Sequence, residues 1–166
     1  MYASATQLLA RYSAEEIAQR ADPNVPSLVH GDLLKKAAAG EDLSGYTPEE
    51  QDAAAAALAN VERALQDAGH TINGYISGRY QLPLSQVPAV LELHCCQIAR
   101  FVLYDDNAPK QVETLYQTSI KYLRDVSSGA VDLGLTAVGT TAQASAGAEM
   151  VSSGLVFSRD NSRGFI

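Results

Sequence analysis

The chain has 166 residues, of which 46% are hydrophobic and 19% charged, and its formal net charge is -7. That length suits one domain with a sizeable core, and the composition excludes a disordered or membrane-embedded chain. The acidic balance argues against a basic groove for nucleic acid, and no apolar run is long enough for a transmembrane helix.

In chain order, Ser4 caps a short helix over Ala5 to Tyr12, with Leu8 and Leu9 on its apolar face. Ser13 caps a second short helix. Glu15 and Glu16 occupy its first turn, where the helix dipole favours carboxylates, and Glu16 has capping-box spacing from Ser13. Ile17 points inward, and Pro23 and Pro26 end this unit. Val25 to Thr47 reads as a surface excursion. Within it, Leu33 to Ala39 offers about two helical turns before Gly40, and Glu41 to Gly45 forms a polar turn.

The clearest helix opens at Thr47, with Pro48 at its first position and Glu50 completing a capping box. Leu58, Val61, Leu65, Ala68, Ile72 and Tyr75 follow at the spacing of one helical face. Gly69, Gly74 and Gly78 weaken its second half by about 1 kcal/mol each relative to alanine. The helix is therefore expected either to kink there or to receive another backbone closely. Pro83 stops it, and Leu82 to Pro88 is a rigid connection.

Pro88 opens the next helix, which runs to about Asp105. Its apolar arc of Val90, Leu91, Cys95, Ile98, Phe101 and Val102 is wide, which predicts a central position. After the turn at Asp106 to Pro109, a last helix extends to about Ser127. Val112, Leu115, Tyr116, Ser119, Leu123 and Val126 share one of its faces, and Gly129 is its stop. The short connection makes these two helices antiparallel neighbours.

Val131 to Leu135 is a short extended candidate. Thr136 to Gly154 is rich in Ala, Gly, Ser and Thr without periodicity, the composition of a flexible linker. Leu155 to Asp160 then reads as a strand. A spacer ending in an apolar, strand-prone tip suits docking by β-augmentation, with Leu155, Val156, Phe157, Arg159, Arg163 and Phe165 as the docking residues; the alternatives are a disordered tail and self-docking on the helical core. The expected fold is thus mostly α. A small helical bundle fills residues 1–130, with an acidic insertion at about 25–47, and an extended, flexible C-terminal arm carrying a short β-strand fills 131–166.

No nucleotide-binding, nucleophile-elbow or zinc-protease motif is present. Met1 to Ser4 does not open a secretory signal, and the adjacent Cys95 and Cys96 make no disulfide framework, so the expectation is a cytosolic protein with reduced thiols. His94, Cys95 and Cys96 are consecutive on a helix and point about 100° apart, so they are expected as buried thiols beside a satisfied or interfacial histidine, not a metal site. Asp105 and Asp106 read as a solvated helix end, and Glu49 and Glu50 as an acidic first turn. Arg79 has two readings: a cation complementing a helix C-terminus, or, with Tyr80, an intersubunit interface. No catalytic residue, metal ligand or cofactor is expected.

Several pieces in order resemble a phage structural family. They are Ala64 to Ala68, Ile72-Asn73-Gly74-Tyr75-Ile76-Ser77-Gly78-Arg79-Tyr80, Leu82-Pro83-Leu84 with Val87-Pro88, Ile98-Ala99-Arg100-Phe101 with Leu103-Tyr104, and Tyr122 to Val126 before Gly129. Met1 to Ser4 with Leu8 to Tyr12 fits the family's start. The stretch Ala57 to Gly129 is in these features similar to the Mu-like phage neck (head–tail connector) proteins. It departs from their pattern at Val25 to Thr47, at Asn73 where an Asp is usual, and after Gly139.

The resemblance implies a virion neck adaptor that forms a ring of about twelve copies below the portal, around the DNA channel. The implied partners are other copies of the chain, the portal protein and a tail-side neck or terminator protein, with DNA passing through without specific binding and no membrane involved. The implied location is the virion neck, reached from the host cytoplasm during assembly. An acidic surface suits such a conduit because it repels phosphates. The alternatives are a tail-proximal neck completion protein and a cytosolic helical regulatory or binding protein.

Overall fold

In a computed structural model of the chain, residues 1–135 are described. They form six α-helices: α1 (Ala5–Arg11), α2 (Ala14–Ala21), α3 (Gly31–Ala39), α4 (Pro48–Ile76), α5 (Ala89–Tyr104) and α6 (Lys110–Ser128). A short 3-10 turn, Asp105–Asn107, joins α5 to α6. The mostly α architecture matches the sequence expectation. The strand expected near Leu155 lies outside the described residues.

Local chemistry explains most helix ends. The Ser4 hydroxyl accepts the Gln7 N–H, while the Gln7 side chain accepts the Ser4 N–H, so α1 opens with a full capping box. Thr47 and Glu50 do the same for α4, with Pro48 at its first position. Gly40 and Gly129 close α3 and α6 at φ 69° and 89°, a region that suits a residue without a β-carbon.

Only half of the expected box at α2 forms. Ser13 accepts the Glu16 N–H, but the Glu16 carboxylate turns away to bind Arg100 in two bonds of 2.7 and 2.9 Å and the Tyr104 hydroxyl at 2.7 Å. A charge-assisted pair with a guanidinium is stronger than a bond to a neutral cap N–H. The pair ties α2 to α5.

α4 is about 44 Å long and forms the spine of the bundle. Its buried face runs Ala53, Ala57, Val61, Ala64, Leu65, Ala68, Ile72 and Ile76, at helical spacing. Small residues on this face let α5 approach closely. α5 is central, as its wide apolar arc predicts, and touches α1, α2, α4 and α6. Leu91, Cys95, Ile98 and Ala99 are essentially inaccessible. Val102, expected in the core, is instead 39% exposed.

The stretch around α3 corrects the surface-excursion reading. Val29, Leu33 and Leu34 are at most 1% exposed, and α3 packs against α1, α2 and α4. Burying three aliphatic side chains contributes on the order of 1.5–3 kcal/mol each, so α3 is part of the bundle. The loops on either side of it are solvated, with Val25 99% exposed ahead of it and Glu41, Asp42, Ser44 and Gly45 exposed behind it.

The glycines of α4 behave differently from one another. The α4 helix is continuous through Gly69 and Gly74, and no backbone packs against either. A β-carbon at Gly69 would only touch the Tyr2 ring at 3.7 Å, and Gly74 and Gly78 face open space. The intimate backbone contact is at Gly31.

Candidate docking site

The motif Gly74-Tyr75 to Arg79-Tyr80, then Leu82-Pro83-Leu84, occupies one end of the bundle, where α4 finishes. α4 ends at Ile76, earlier than Pro83, and the chain turns through Ser77 to Tyr80. The N–H groups of Arg79 and Tyr80 both bond the Ile76 carbonyl, at 3.0 and 2.9 Å. This turn aims the two side chains at the far end of α6.

Arg79 donates to the Val126 carbonyl at 2.8 Å and to the Val131 carbonyl at 3.3 Å. Its guanidinium also lies 3.7 Å from the Asp132 carboxylate and covers Gly129. The last carbonyls of a helix lack partners and carry partial negative charge, and Arg79 answers both needs. The dipole reading of Arg79 therefore holds, but for α6, 47 residues away, not for its own helix.

Tyr80 is 1% exposed. Its hydroxyl accepts the Leu133 N–H at 3.0 Å. Val131 donates its own N–H to the Asp125 carbonyl at 3.1 Å, and Leu133 is buried. Arg79 and Tyr80, expected at an intersubunit interface, are thus engaged within the chain. Together they latch residues 131–133 onto the end of the bundle. The extended candidate at Val131 to Leu135 forms no strand: the segment bends, with Gly134 at φ 71°, and is held by this latch instead.

Beside the latch is an apolar groove of about 400 Å³, walled by Met1, Tyr2, Leu82, Pro83, Leu84 and Val87. Asn73 forms part of its lining and accepts the Tyr2 hydroxyl. No charged side chain lines it. Val87 is 41% exposed at the lip and Met1 76%. Composition alone did not flag this groove, because Tyr2 and Leu82 are 80 residues apart in sequence. The signal was the apolar Leu82-Pro83-Leu84 with Val87 three residues on, which a mere connection does not need.

The other candidate groups have structural explanations. His94 is buried, stacks on Tyr122 at 4.3 Å, and places Nδ1 3.1 Å from the Ser119 hydroxyl, which donates to Gln97 at 2.6 Å. Burial lowers its pKa below the ordinary 6.5, against an opposing hydrogen bond with Gln97. Burial likewise pushes the Cys95 thiol up to about 12 and Cys96 up to about 11, so neither is poised as a nucleophile. Among the described residues, no group of three or more His, Cys, Asp or Glu side chains is placed to hold a metal. Asp105 and Asp106 are exposed at the helix end, and Glu49 and Glu50 sit in the first turn of α4. Leu155, Val156, Phe157, Arg159, Arg163 and Phe165 lie outside the described residues.

Comparison with known proteins bears out the resemblance to a Mu-like phage family. A family model described as Bacteriophage Mu, Gp36 matches residues 2–152. Over 108 residues the chain is 48% identical to the Mu-like prophage FluMu protein gp36 of Haemophilus influenzae, covering 65% of this chain and 77% of that protein. It is 36% identical over 108 residues to Gene product J of Escherichia phage Mu, covering 63% of this chain and 74% of that protein.

Proposed function

The chain belongs to the Bacteriophage Mu Gp36 family, and from that membership we propose that it is a structural, non-enzymatic protein of the virion neck. In this reading it is a head–tail connector, assembled as a ring of about twelve copies below the portal. The ring joins head to tail and surrounds the channel through which DNA leaves. Its partners are neighbouring copies, the portal protein and a tail-side neck or terminator protein.

The observation that supports this reading is the latch formed by Arg79 and Tyr80. An adaptor needs a rigid body and a segment that leaves it at a defined point to reach a partner. Arg79 and Tyr80 hold Val131 and Leu133 against the bundle, so the chain departs for residues 136–166 from a defined place. The net charge of -7 fits a conduit wall that repels phosphate rather than binding it. The apolar and basic residues Leu155, Val156, Phe157, Arg159, Arg163 and Phe165 then form the contact to the portal or to a neighbouring copy.

Mass photometry of the chain, alone and mixed with the portal protein encoded beside it, tests this. The expected result is a ring of about twelve copies on each portal. A monomer or dimer that never binds portal would overturn the reading. A chain ending at Gly139 is expected to lose most of its portal affinity, and unchanged affinity would remove residues 155–166 from the contact.

A further inference from the structure

The groove beside the latch has no occupant from residues 1–135, yet its walls are apolar and it sits next to the point where the chain leaves the bundle. We infer that in the free protein the run Leu155-Val156-Phe157 of the same chain occupies this groove. The inference goes beyond the proposed neck role and does not depend on it, since it concerns the isolated chain.

Three observations carry it. The first is chemical fit. Met1, Tyr2, Leu82, Pro83, Leu84 and Val87, with Asn73, line a mainly apolar trough of about 400 Å³ that carries no charged side chain, within the size range of small binding pockets. Leu155-Val156-Phe157 is the one run of three large apolar residues in the sequence after Leu135. Leaving such a trough and such a run both in water forgoes roughly 25 cal/mol for each Å² of apolar surface that docking would cover.

The second is position. Tyr80 binds Leu133, and Leu82, two residues after Tyr80, is already a wall of the groove. The chain is therefore delivered to the groove's own end of the bundle, not to the opposite end near the start of α4.

The third is length. Nineteen residues, Thr136 to Gly154, separate the described segment from Leu155. Nineteen residues taken as a coil would have a root-mean-square span of about 24 Å, enough to return to the groove without being stretched. Its effective concentration there is on the order of millimolar, so even a weak contact is populated within one chain before it forms between chains. Engagement of a partner by the tip would then uncover the groove, coupling the two events.

The chain has no tryptophan, so Phe157→Trp in the full-length protein provides a single fluorophore at the tip. The expected emission is blue-shifted and shielded from acrylamide, several-fold less quenched than free tryptophan, and independent of protein concentration. Adding Val87→Glu at the exposed lip of the groove is expected to abolish both the shift and the shielding, with circular dichroism unchanged. Leu84→Asn serves as a second lip variant should Val87→Glu disturb folding. Solvent-like emission before any lip substitution overturns the inference. So does a shift that grows with concentration, which would place the tip on a second copy, or shielding that develops only when portal is added. A blue shift that survives both lip variants overturns it as well, by placing the tip elsewhere on the body.

Discussion

Gly31 rests directly on the backbone of Glu15: a β-carbon at Gly31 would lie 2.7 Å from the Glu15 nitrogen. The contact is held from the other side, because the Gly31 N–H donates to the Glu15 carboxylate at 2.8 Å. The start of α3 is thus pressed onto the start of α2. Gly31→Ala is expected to push the two helices apart and to destabilise the fold by about 1–3 kcal/mol, the range for overpacking. Gly74→Ala supplies the contrast. It lies within α4 with nothing near its missing side chain, so the change is expected to stabilise by about 0.5–1 kcal/mol through helix propensity. Chemical denaturation of both variants checks the pair. A neutral Gly31→Ala would show that the contact is not tight in solution.

Tyr80→Phe removes the acceptor for the Leu133 N–H and little else. Leaving a buried N–H unpaired costs about 1–3 kcal/mol, unless the segment lifts into water. The expected outcome is therefore local: faster amide exchange at 131–133, with α4 and α5 protected as before. Arg79→Leu is expected to add exposure at the end of α6, since the Val126 carbonyl keeps only the Gly129 N–H at 3.2 Å and the Val131 carbonyl loses its guanidinium donor. Hydrogen exchange with residue-level readout measures both, and unchanged protection at Leu133 would dismiss the latch.

Asp22 ends α2 and organises the loop that follows. Burial opposes its charge, but the backbone N–H groups of Asn24 and Val29 and the hydroxyl of Ser27 outweigh it, and the pKa falls from 3.8 to about 2. A carboxylate with a depressed folded pKa contributes stability that is present above pH 3.8 and is lost as the pH falls towards 2. Acid titration of stability is expected to show a smaller loss across that window in Asp22→Asn, which starts from a lower value at neutral pH. Parallel curves for the two proteins would show that Asp22 has no such role.

His94 acts at higher pH and in the opposite chemical sense. Its folded pKa is below the ordinary 6.5, chiefly from burial. The unfolded chain takes up its proton first as the pH drops. Stability is therefore complete above pH 6.5 and declines below it. His94→Phe keeps an aromatic ring against Tyr122, and Ser119 retains Gln97 as its acceptor. The variant is expected to lose less stability than the wild type as the pH falls below 6.5. Thermal melts at several pH values decide this, and an unchanged slope would exclude His94 as the source.

Ser4, Ser13 and Thr47 each act on a residue three positions on, and Gly40 and Gly129 stop helices through their own φ angles. Such interactions are local, so the sequence by itself determined where α1, α2, α4 and α6 begin or end, and the periodic apolar faces determined that they form a bundle. It also determined the family, through the ordered motif from Ile72 to Pro88. Tertiary structure alone decided the rest. Glu16 leaves its capping box for Arg100, 84 residues away, and Arg79 serves a helix it does not belong to. Leu33 and Leu34 become core because α1, α2 and α4 close over them. The groove exists only where Tyr2 meets the connection at Leu82 to Val87. The physical reason is common to all four. Charge pairing, carbonyl satisfaction and burial are won by whichever group is nearest in space, and chain closure sets that nearness between residues far apart in sequence.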